Sequence, residues 1–257
     1  MTEKLPPILQ FDPNPTAILN PDHHRPSGNF PRRAVLCFFN DVLKDLEARG
    51  RLTVVEQLNS EIGRNPVYEL DWRGEKLLVL HPGVGAPLAA GFLEETIALG
   101  ARSFIACGGC GSLQQGITAG HPVVLTGAVR DEGTSYHYLP AGVEALASAE
   151  AVTALENVLQ SKKLLYTRGK SWTTDAIYRE TADRRAARME EGCVVVEMEA
   201  AAFFTVAAFR KVTFGQIVYA GDLVVPEGWD QRDWNNRRSD RELVFWLAVE
   251  ACAALPG

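Results

Sequence analysis

The sequence predicts an α/β protein that folds as one domain. Short apolar runs alternate with glycine-rich loops and helical segments, a pattern typical of an α/β sheet whose sites lie at the carboxyl ends of its strands. The length of 257 residues suits one large α/β domain. A hydrophobic share of 46% with 23% charged residues is ordinary for a globular enzyme. Residues 31–257 contain no internal repeat, low-complexity tract or linker, so we expect one domain there.

Residues 1–30 are predicted to form an extended N-terminal arm. This segment contains six prolines, which fix φ and cannot donate a hydrogen bond to a sheet. Neither a helix nor a central strand is therefore expected. The arm lacks the apolar core of a signal peptide, and the chain has no apolar run of 18 residues. We expect neither secretion nor a membrane partner.

The domain is predicted to begin with a buried strand and a helix. The apolar run 33–39 predicts the strand, and residues 41–49 predict a helix that ends at Gly50. A second apolar strand, 77–80, runs directly into a Gly-Val-Gly loop.

The next predicted helix has a signal at each end. Pro87 suits its first turn, where a missing N–H is harmless, and Gly100 suits its C-terminal end. Residues 103–107 predict a further core strand with its own glycine loop. Later elements are strands over 123–126, 194–196 and 216–219, and an amphipathic helix over 240–254.

Charge and cysteine content narrow the classes of function. A net charge of −6 without a long basic stripe argues against nucleic acid as a partner. Five cysteines, an odd number, suit a reducing cytoplasm better than a disulfide framework, so a cytoplasmic protein is expected. Cys107 and Cys110 form a C-x-x-C pair. No second pair completes a structural zinc site, and no metal is predicted.

Two glycine loops follow predicted core strands. Gly83-Val84-Gly85 lets backbone N–H groups approach an anion at the start of the following helix. The loop Gly108-Gly109-Cys110-Gly111 could bind a phosphate in the same way or wrap the edge of a sugar. Neither loop matches the dinucleotide pattern G-x-G-x-x-G. Two tight turns that need positive φ remain the alternative interpretation.

Three carboxylates lie where apolar runs end. Glu197 and Glu199 flank Met198 between the run 194–196 and an alanine-rich helix, and Asp222 follows the run 216–219. Carboxylates are unfavourable at the ends of core strands unless they meet a ligand or a partner. The alternatives are glutamates that favour a helix's first turn and an aspartate that caps a helix.

The chain resembles a known enzyme family over about residues 75–235. Glu197-Met198-Glu199 before an alanine-rich helix is similar to a motif of the nucleoside phosphorylase family, which contains uridine phosphorylases, bacterial-type purine phosphorylases and methylthioadenosine nucleosidases. Four further segments agree in order and spacing: His81-Pro82-Gly83-Val84-Gly85-Ala86-Pro87, Cys107-Gly108-Gly109-Cys110-Gly111-Ser112, Arg130-Asp131-Glu132-Gly133-Thr134-Ser135-Tyr136-His137 and Ser171-Trp172-Thr173-Thr174-Asp175-Ala176-Ile177-Tyr178. The resemblance implies a three-layer α/β/α fold with a central mixed, partly barrel-like sheet.

The resemblance also implies roles for individual residues. Glu199 should hold the ribose hydroxyls and Met198 should pack against the sugar, with Glu197 as a further ribose contact or a supporting carboxylate. Asp222 should protonate the leaving base, as the matching aspartate does in purine-cleaving relatives. The residues expected at the base are Trp172, Ile177, Tyr178, Arg179 and Gly109, with Glu180 as a second polar reader beside Arg179.

Phosphate is the expected co-substrate, and no other cofactor is expected. Gly85, Gly108 and Arg25 are its predicted contacts. Arg25 is included because family members carry a phosphate-binding Gly-Asp-Pro-x-Arg loop near the N-terminus, and we match that loop to residues 19–25. Other arginines that could rebuild the site are Arg32, Arg33 and Arg130.

The sequence departs from the family at further positions. Ala106 stands where a second phosphate-binding arginine is usual, and Gly109 stands where a hydroxyl side chain is usual. Thr181 and Asp183 stand nearest to the glutamine and arginine that read uracil. These departures leave the acceptor and the base open.

Three hypotheses follow. The first is a nucleoside phosphorylase with a rearranged phosphate site, in which Asp222 favours purine over uridine. The second is a nucleoside hydrolase that uses water. The third is a non-catalytic nucleoside- or nucleotide-binding protein. The resemblance implies a homo-oligomer, either a dimer or a hexamer.

Overall fold

The computed structural model describes residues 5–24 and 28–257. Arg25 lies outside the described residues. The strands of the described part are β1 (Arg33–Cys37), β2 (Thr53–Ser60), β3 (Gly63–Trp72), β4 (Glu75–Leu80), β5 (Ser103–Ser112), β6 (Pro122–Asp131), β7 (Glu144–Leu146), β8 (Thr167–Thr174), β9 (Cys193–Glu197), β10 (Thr213–Val225) and β11 (Gly228–Asp230). The α-helices are α1 (Asn40–Ala48), α2 (Ala86–Leu99), α3 (Ala149–Ser161), α4 (Ala182–Glu190), α5 (Ala200–Arg210) and α6 (Arg238–Ala253).

Five strands close into a ring. β10 pairs with β6, β6 with β8, β8 with β9, β9 with β5, and β5 returns to β10. The β6–β8, β8–β9 and β5–β10 pairs are parallel, whereas the other two are antiparallel. The ring is therefore a mixed barrel.

An open sheet continues from the ring through β5. Its order is β5, β1, β4, β3 and β2, and β1 is parallel to both β4 and β5. In this register Val35 of β1 lies between Val79 and Ile105. The carboxyl ends of β1, β4 and β5 consequently meet at one edge of the sheet.

Helices cover both faces of the sheet. Apolar side chains of α2 and α5 pack on one face, where the rings of Phe203 and Phe214 stack with centroids 4.8 Å apart. Side chains of α1, α3 and α6 pack on the other face. Burial of apolar surface on both faces holds the three layers together. The predicted three-layer α/β/α fold with a mixed, partly barrel-like sheet is confirmed.

Most predicted elements are present with adjusted bounds. β1 ends at Cys37, two residues earlier than predicted, although the Phe38 N–H still donates to the Cys107 carbonyl of β5 at 3.0 Å. The β2–β3 hairpin was not predicted, because polar residues occupy most of its half-exposed positions and interrupt the apolar pattern of its strands. α4 escaped it because this helix buries no residue and shows no apolar stripe.

The ends of α2 agree with the signals in the sequence. Gly85, at the N-cap, has a φ of 88°, and Pro87 lies in the first turn. Gly100 ends the helix with a φ of 117°, in the left-handed region that favours glycine. The glycine loop before α2 therefore has a backbone shape that other residues adopt only with strain.

The described part of the N-terminal arm has little regular structure. It contains two short 3₁₀ turns, Pro7–Leu9 and Pro21–His24. Arg210, at the end of α5, donates a hydrogen bond of 2.8 Å to the carbonyl of Pro15. This contact fixes part of the arm against the helical layer.

Candidate functional site

The candidate site lies where three structural units meet. These are the glycine loop after β4, the glycine-rich half of β5, and the turn from β9 into α5. β10 runs parallel to β5 and adds its own carboxyl end to this edge. Because the chain reverses or enters a helix at each of these points, polar backbone and side-chain groups meet above an apolar core.

Glu199 joins the glycine loop to the start of α5. Its side chain is buried, with 6% of the residue exposed, and Oε1 accepts a hydrogen bond of 2.6 Å from the Gly85 N–H. Burial, together with the negative charge of Glu197, raises the pKa of Glu199 to about 8. The protonated form of this carboxyl is therefore favoured at neutral pH.

Glu197 is held by four hydrogen bonds at the end of β9. Oε1 accepts from the hydroxyls of Ser171 and Thr173 at 2.8 and 2.6 Å. Oε2 accepts from the backbone N–H groups of Glu199 and Ala200, both at 2.7 Å. This arrangement caps α5 and fixes the turn that carries Glu199. The geometry favours the supporting role over a direct ribose contact.

Met198 lies between the two glutamates, in the turn from β9 to α5, and is partly buried. The thioether is flexible and polarizable, so it can adapt to the face of a sugar. The turn therefore presents Met198 beside Glu199, as the ribose prediction requires.

Asp222 lies on an irregular part of β10. The register of β10 against β5 shifts between Ala220 and Leu223, so Gly221 and Asp222 form a bulge. Asp222 Oδ2 accepts a hydrogen bond of 2.6 Å from the indole N–H of Trp229. Trp229 belongs to β11, so the β10–β11 hairpin folds back to fix the carboxylate.

Glu180 is an acidic neighbour of Asp222. Burial, together with the negative charge of Asp222, raises the pKa of Glu180 to about 7. Glu180 lies two residues before α4, whose Arg185 donates a 2.8 Å hydrogen bond to the carbonyl of Val224. This bond fixes the start of α4 beside the end of β10. The sequence suggested Glu180 as a reader of the base but gave no sign that it lies near Asp222.

The residues predicted at the base are separated by the fold. Trp172 is completely buried, and its indole N–H donates to Asp131 at 2.8 Å, so it belongs to the core rather than to a pocket wall. Its assignment to the base pocket is corrected accordingly. Ile177, Tyr178 and Arg179 form an exposed 3₁₀ turn after β8, with Tyr178 93% exposed.

The predicted phosphate contacts are only partly available. The Gly85 N–H bonds to Glu199, and Gly108 lies under the ring of Phe38. Gly109, predicted at the base, is exposed at the edge of β5. Ala106 is completely buried in the core.

The loop beside the two glycine loops is the one that follows β1. At this edge the sequence reads Phe38-Phe39-Asn40-Asp41, which contains no arginine. The assignment of Arg25 to phosphate stays a prediction, because Arg25 lies outside the described residues.

Two of the alternative arginines are used within the protein. Arg130 is buried and donates to the Ser135 hydroxyl at 2.9 Å and to the Pro140 carbonyl at 2.7 Å. Arg33 lies at the start of β1, at the sheet edge opposite the candidate site, and donates to Glu75. Neither is free to bind an anion at the site.

The C-x-x-C pair has a structural explanation. Cys107 and Cys110 are three positions apart in β5, so their side chains lie on opposite faces and in different parts of the core. All five cysteines are buried and free. Within residues 5–24 and 28–257, no group of three or more His, Cys, Asp or Glu side chains is arranged to hold a metal ion. No described helix has the length and apolar character needed to span a membrane.

Comparison with known proteins decides the family. A model of the phosphorylase superfamily matches residues 32–252. The chain belongs to this superfamily. The predicted family and fold class are confirmed, and with them the assignment to the phosphorylase type of enzyme.

Three relatives illustrate the similarity. The chain is 30% identical to the guanosine phosphorylase of Halorubrum lacusprofundi over 202 residues, which cover 76% of this chain and 84% of the relative. The AMP nucleosidase of Bacteroides thetaiotaomicron has the same fold, with a TM-score of 0.69, 23% identity, and coverage of 86% and 87%. A uridine phosphorylase from Vibrio fischeri ES114 superposes with a TM-score of 0.72, 24% identity, and coverage of 91% and 95%.

Proposed function

We propose that the protein cleaves the N-glycosidic bond of a purine nucleoside with inorganic phosphate as the acceptor. The products are the free base and ribose 1-phosphate. The single observation that carries this proposal is the fixed pairing of Glu199 with the glycine loop, with Asp222 at the neighbouring strand end. That pairing supports a sugar position between a carboxylate and a proton donor.

The sugar side of the reaction is assigned to Glu199 and Met198. A carboxylate accepts hydrogen bonds from two vicinal hydroxyls, and its negative charge stabilises the oxocarbenium-like sugar that forms in the transition state. Binding of a ribose would then shift Glu199 from its protonated form to its ionised form. Glu197 acts as a positioning residue, because its four hydrogen bonds fix the turn.

The base side is assigned to Asp222 and Glu180. Cleavage leaves negative charge on the departing base, and a positioned acid lowers the barrier by protonating it, typically by 10²–10⁴-fold. Burial, together with the charge of Asp222, raises the pKa of Glu180 to about 7, so a proton is available beside Asp222 near neutral pH. We favour a purine because its N7 accepts such a proton, whereas uracil has no atom at that position. The guanosine phosphorylase relative agrees with this preference.

Hydrolysis is the second candidate, and one specific observation favours it. The loop after β1 presents Phe38 at the site edge, and Ala106, where a phosphate-binding arginine is usual, is buried, so neither residue supplies a cation. Water as the acceptor needs no cation. The AMP nucleosidase fold neighbour is consistent with this alternative.

Other features belong to the proposal as expectations. No organic or metal cofactor is needed for this chemistry, because phosphate is itself the second substrate. Five buried, free thiols agree with a cytoplasmic location. We expect a homo-oligomer, dimer or hexamer, in which a second copy covers the exposed 3₁₀ turn that contains Tyr178.

The test is base release from a panel of purine and pyrimidine nucleosides, with and without phosphate, measured by chromatography. We expect purine release only with phosphate, together with ribose 1-phosphate. Release that ignores phosphate would establish the hydrolase. Release from no nucleoside, combined with ligand-induced thermal stabilisation, would establish a non-catalytic binding protein. The Asp230→Asn variant is a matched control for Asp222→Asn, because Asp230 lies on the adjacent β11 with its side chain exposed.

A further inference from the structure

Gly109 lies against a hydroxyl group that comes from a different strand. Its neighbour across the β5–β10 pair is Tyr219. A Cβ placed on Gly109 would lie 3.5 Å from the Tyr219 ring and 3.6 Å from its oxygen. A phenol hydroxyl therefore lies beside the position at which the family usually carries a hydroxyl side chain.

A guanidinium group lies next to the same hydroxyl. Arg241 of α6 donates from Nε to the Tyr219 oxygen at 3.2 Å. It also donates to Asp41 Oδ1 and to the Trp234 carbonyl, each at 3.2 Å. All three distances lie at the long end of the normal range, so each of these hydrogen bonds is weaker than average.

We propose that Arg241 and Tyr219 form the phosphate site of this protein. They would take the roles of the arginine and the hydroxyl side chain that the family usually carries at the positions of Ala106 and Gly109. This inference rests on the proposed function. The guanidinium would donate two parallel N–H bonds to the phosphate oxygens. Its planar geometry matches a phosphate better than that of any other side chain. Burial raises the pKa of Tyr219, so its phenol retains its proton. The hydroxyl donates this proton to the Trp234 carbonyl at 3.3 Å, and it would turn from that carbonyl to the anion.

Asp41 is the internal competitor for this site. Its carboxylate pairs with Arg241, and its side chain is 40% exposed, so it can rotate into solvent when an anion arrives. Asp41 lies in the first turn of α1, directly after the loop that follows β1. Removal of the Asp41 charge should therefore strengthen phosphate binding rather than weaken it.

This competition gives the experiment two opposite expected results. Binding of inorganic phosphate to the full-length protein is measured by isothermal titration calorimetry, with and without a saturating purine base, which does not react with phosphate. Arg241→Gln should weaken binding about tenfold or more, because it removes a charged hydrogen-bond donor, and Tyr219→Phe should weaken it less. Asp41→Asn should tighten it several-fold. An ion pair with a purely structural role would make Arg241→Gln and Asp41→Asn change binding in the same direction.

The matched control is the second ion pair between the same two helices. Arg238 and Asp45 are 2.7 Å apart and join α6 to α1, as Arg241 and Asp41 do. Arg238→Gln and Asp45→Asn should leave phosphate binding unchanged. If Arg241→Gln does not fold, Arg241→Lys, which keeps the charge and loses the fork, should still weaken binding while Asp41→Asn tightens it.

The remaining outcomes separate this inference from the proposed function. Phosphate-dependent base release with unaltered phosphate binding in Arg241→Gln and Asp41→Asn would overturn the Arg241 site and leave the phosphorylase intact. Base release without phosphate, with no phosphate binding to the wild-type protein, would overturn both.

Discussion

The backbone N–H of Gly85 donates a 2.6 Å hydrogen bond to Oε1 of Glu199, which lies 114 positions later in the chain. This bond connects the loop that precedes α2 with the residue that precedes α5. Both helices pack on the same face of the sheet. The predicted anion loop and the predicted ribose carboxylate are thus parts of one unit, and a ligand that contacts one of them must affect the other.

The raised pKa of Glu199 predicts a pH dependence of stability. The folded protein holds a proton up to about pH 8, whereas the unfolded chain releases it near the ordinary value of 4.5. The free energy of unfolding should therefore fall as pH rises from 4.5 to 8. In Glu199→Gln this contribution is absent, so the fall should be shallower. Urea denaturation at pH 5, 6.5 and 8 measures both slopes, and equal slopes would contradict the assignment.

Replacement of Glu197 by glutamine should destabilise the fold. The amide keeps one acceptor oxygen, but its NH₂ group cannot accept the hydrogen bonds that the second carboxylate oxygen accepts. The buried groups that donate those bonds therefore lose their acceptor. We expect a loss of about 3 kcal/mol in the free energy of unfolding. Ser171→Ala, which removes one of the four donors, should cost about 1 kcal/mol. Urea denaturation measures both, and a smaller loss for Glu197→Gln than for Ser171→Ala would refute the capping role.

Asp222→Asn should lower kcat at least 100-fold with a modest change in KM, if the carboxyl protonates the base. Trp229→Phe should have a smaller effect, because it removes only the hydrogen bond that orients the carboxylate. Steady-state kinetics with a cleaved nucleoside test both variants. A kcat of Asp222→Asn equal to that of the wild type would remove Asp222 from the mechanism.

Glu180 should titrate near pH 7, and its titration should depend on Asp222. Burial alone raises its pKa, and the charge of Asp222 raises it further. In Asp222→Asn the repulsion disappears, so the pKa of Glu180 should decrease. Carbon-13 NMR of labelled glutamate carboxyl groups follows the titration, with Glu180→Gln to assign the signal. The same midpoint in both proteins would show that the two groups do not interact.

Local sequence was informative where a strand, a glycine and a helix follow one another directly. The turn at Glu197–Glu199 and the α2 boundaries at Pro87 and Gly100 depend on neighbouring residues, and the chain carries their signals within a few positions. The same is true of the apolar strands β1, β4 and β5. Their burial on both faces produces continuous apolar runs.

Contacts between distant segments could not be read in this way. The neighbours of Asp222, Gly109 and Trp172 come from other strands and helices, and no periodicity encodes them. Trp172 is the clearest case. The motif around it resembles the family's base pocket, yet strand alternation and the Asp131 acceptor direct its indole into the core.

β5 belongs at once to the closed ring and to the open sheet. Because both parts share this strand, the molecule cannot divide between the ring and the open sheet. Removal of either part would expose the apolar face of the other. The ends of the molecule are therefore coupled through the backbone of ten residues. A substitution that strains β5 would weaken the open sheet and the ring together, so greater tolerance for change is expected at the half-exposed positions of the β2–β3 hairpin.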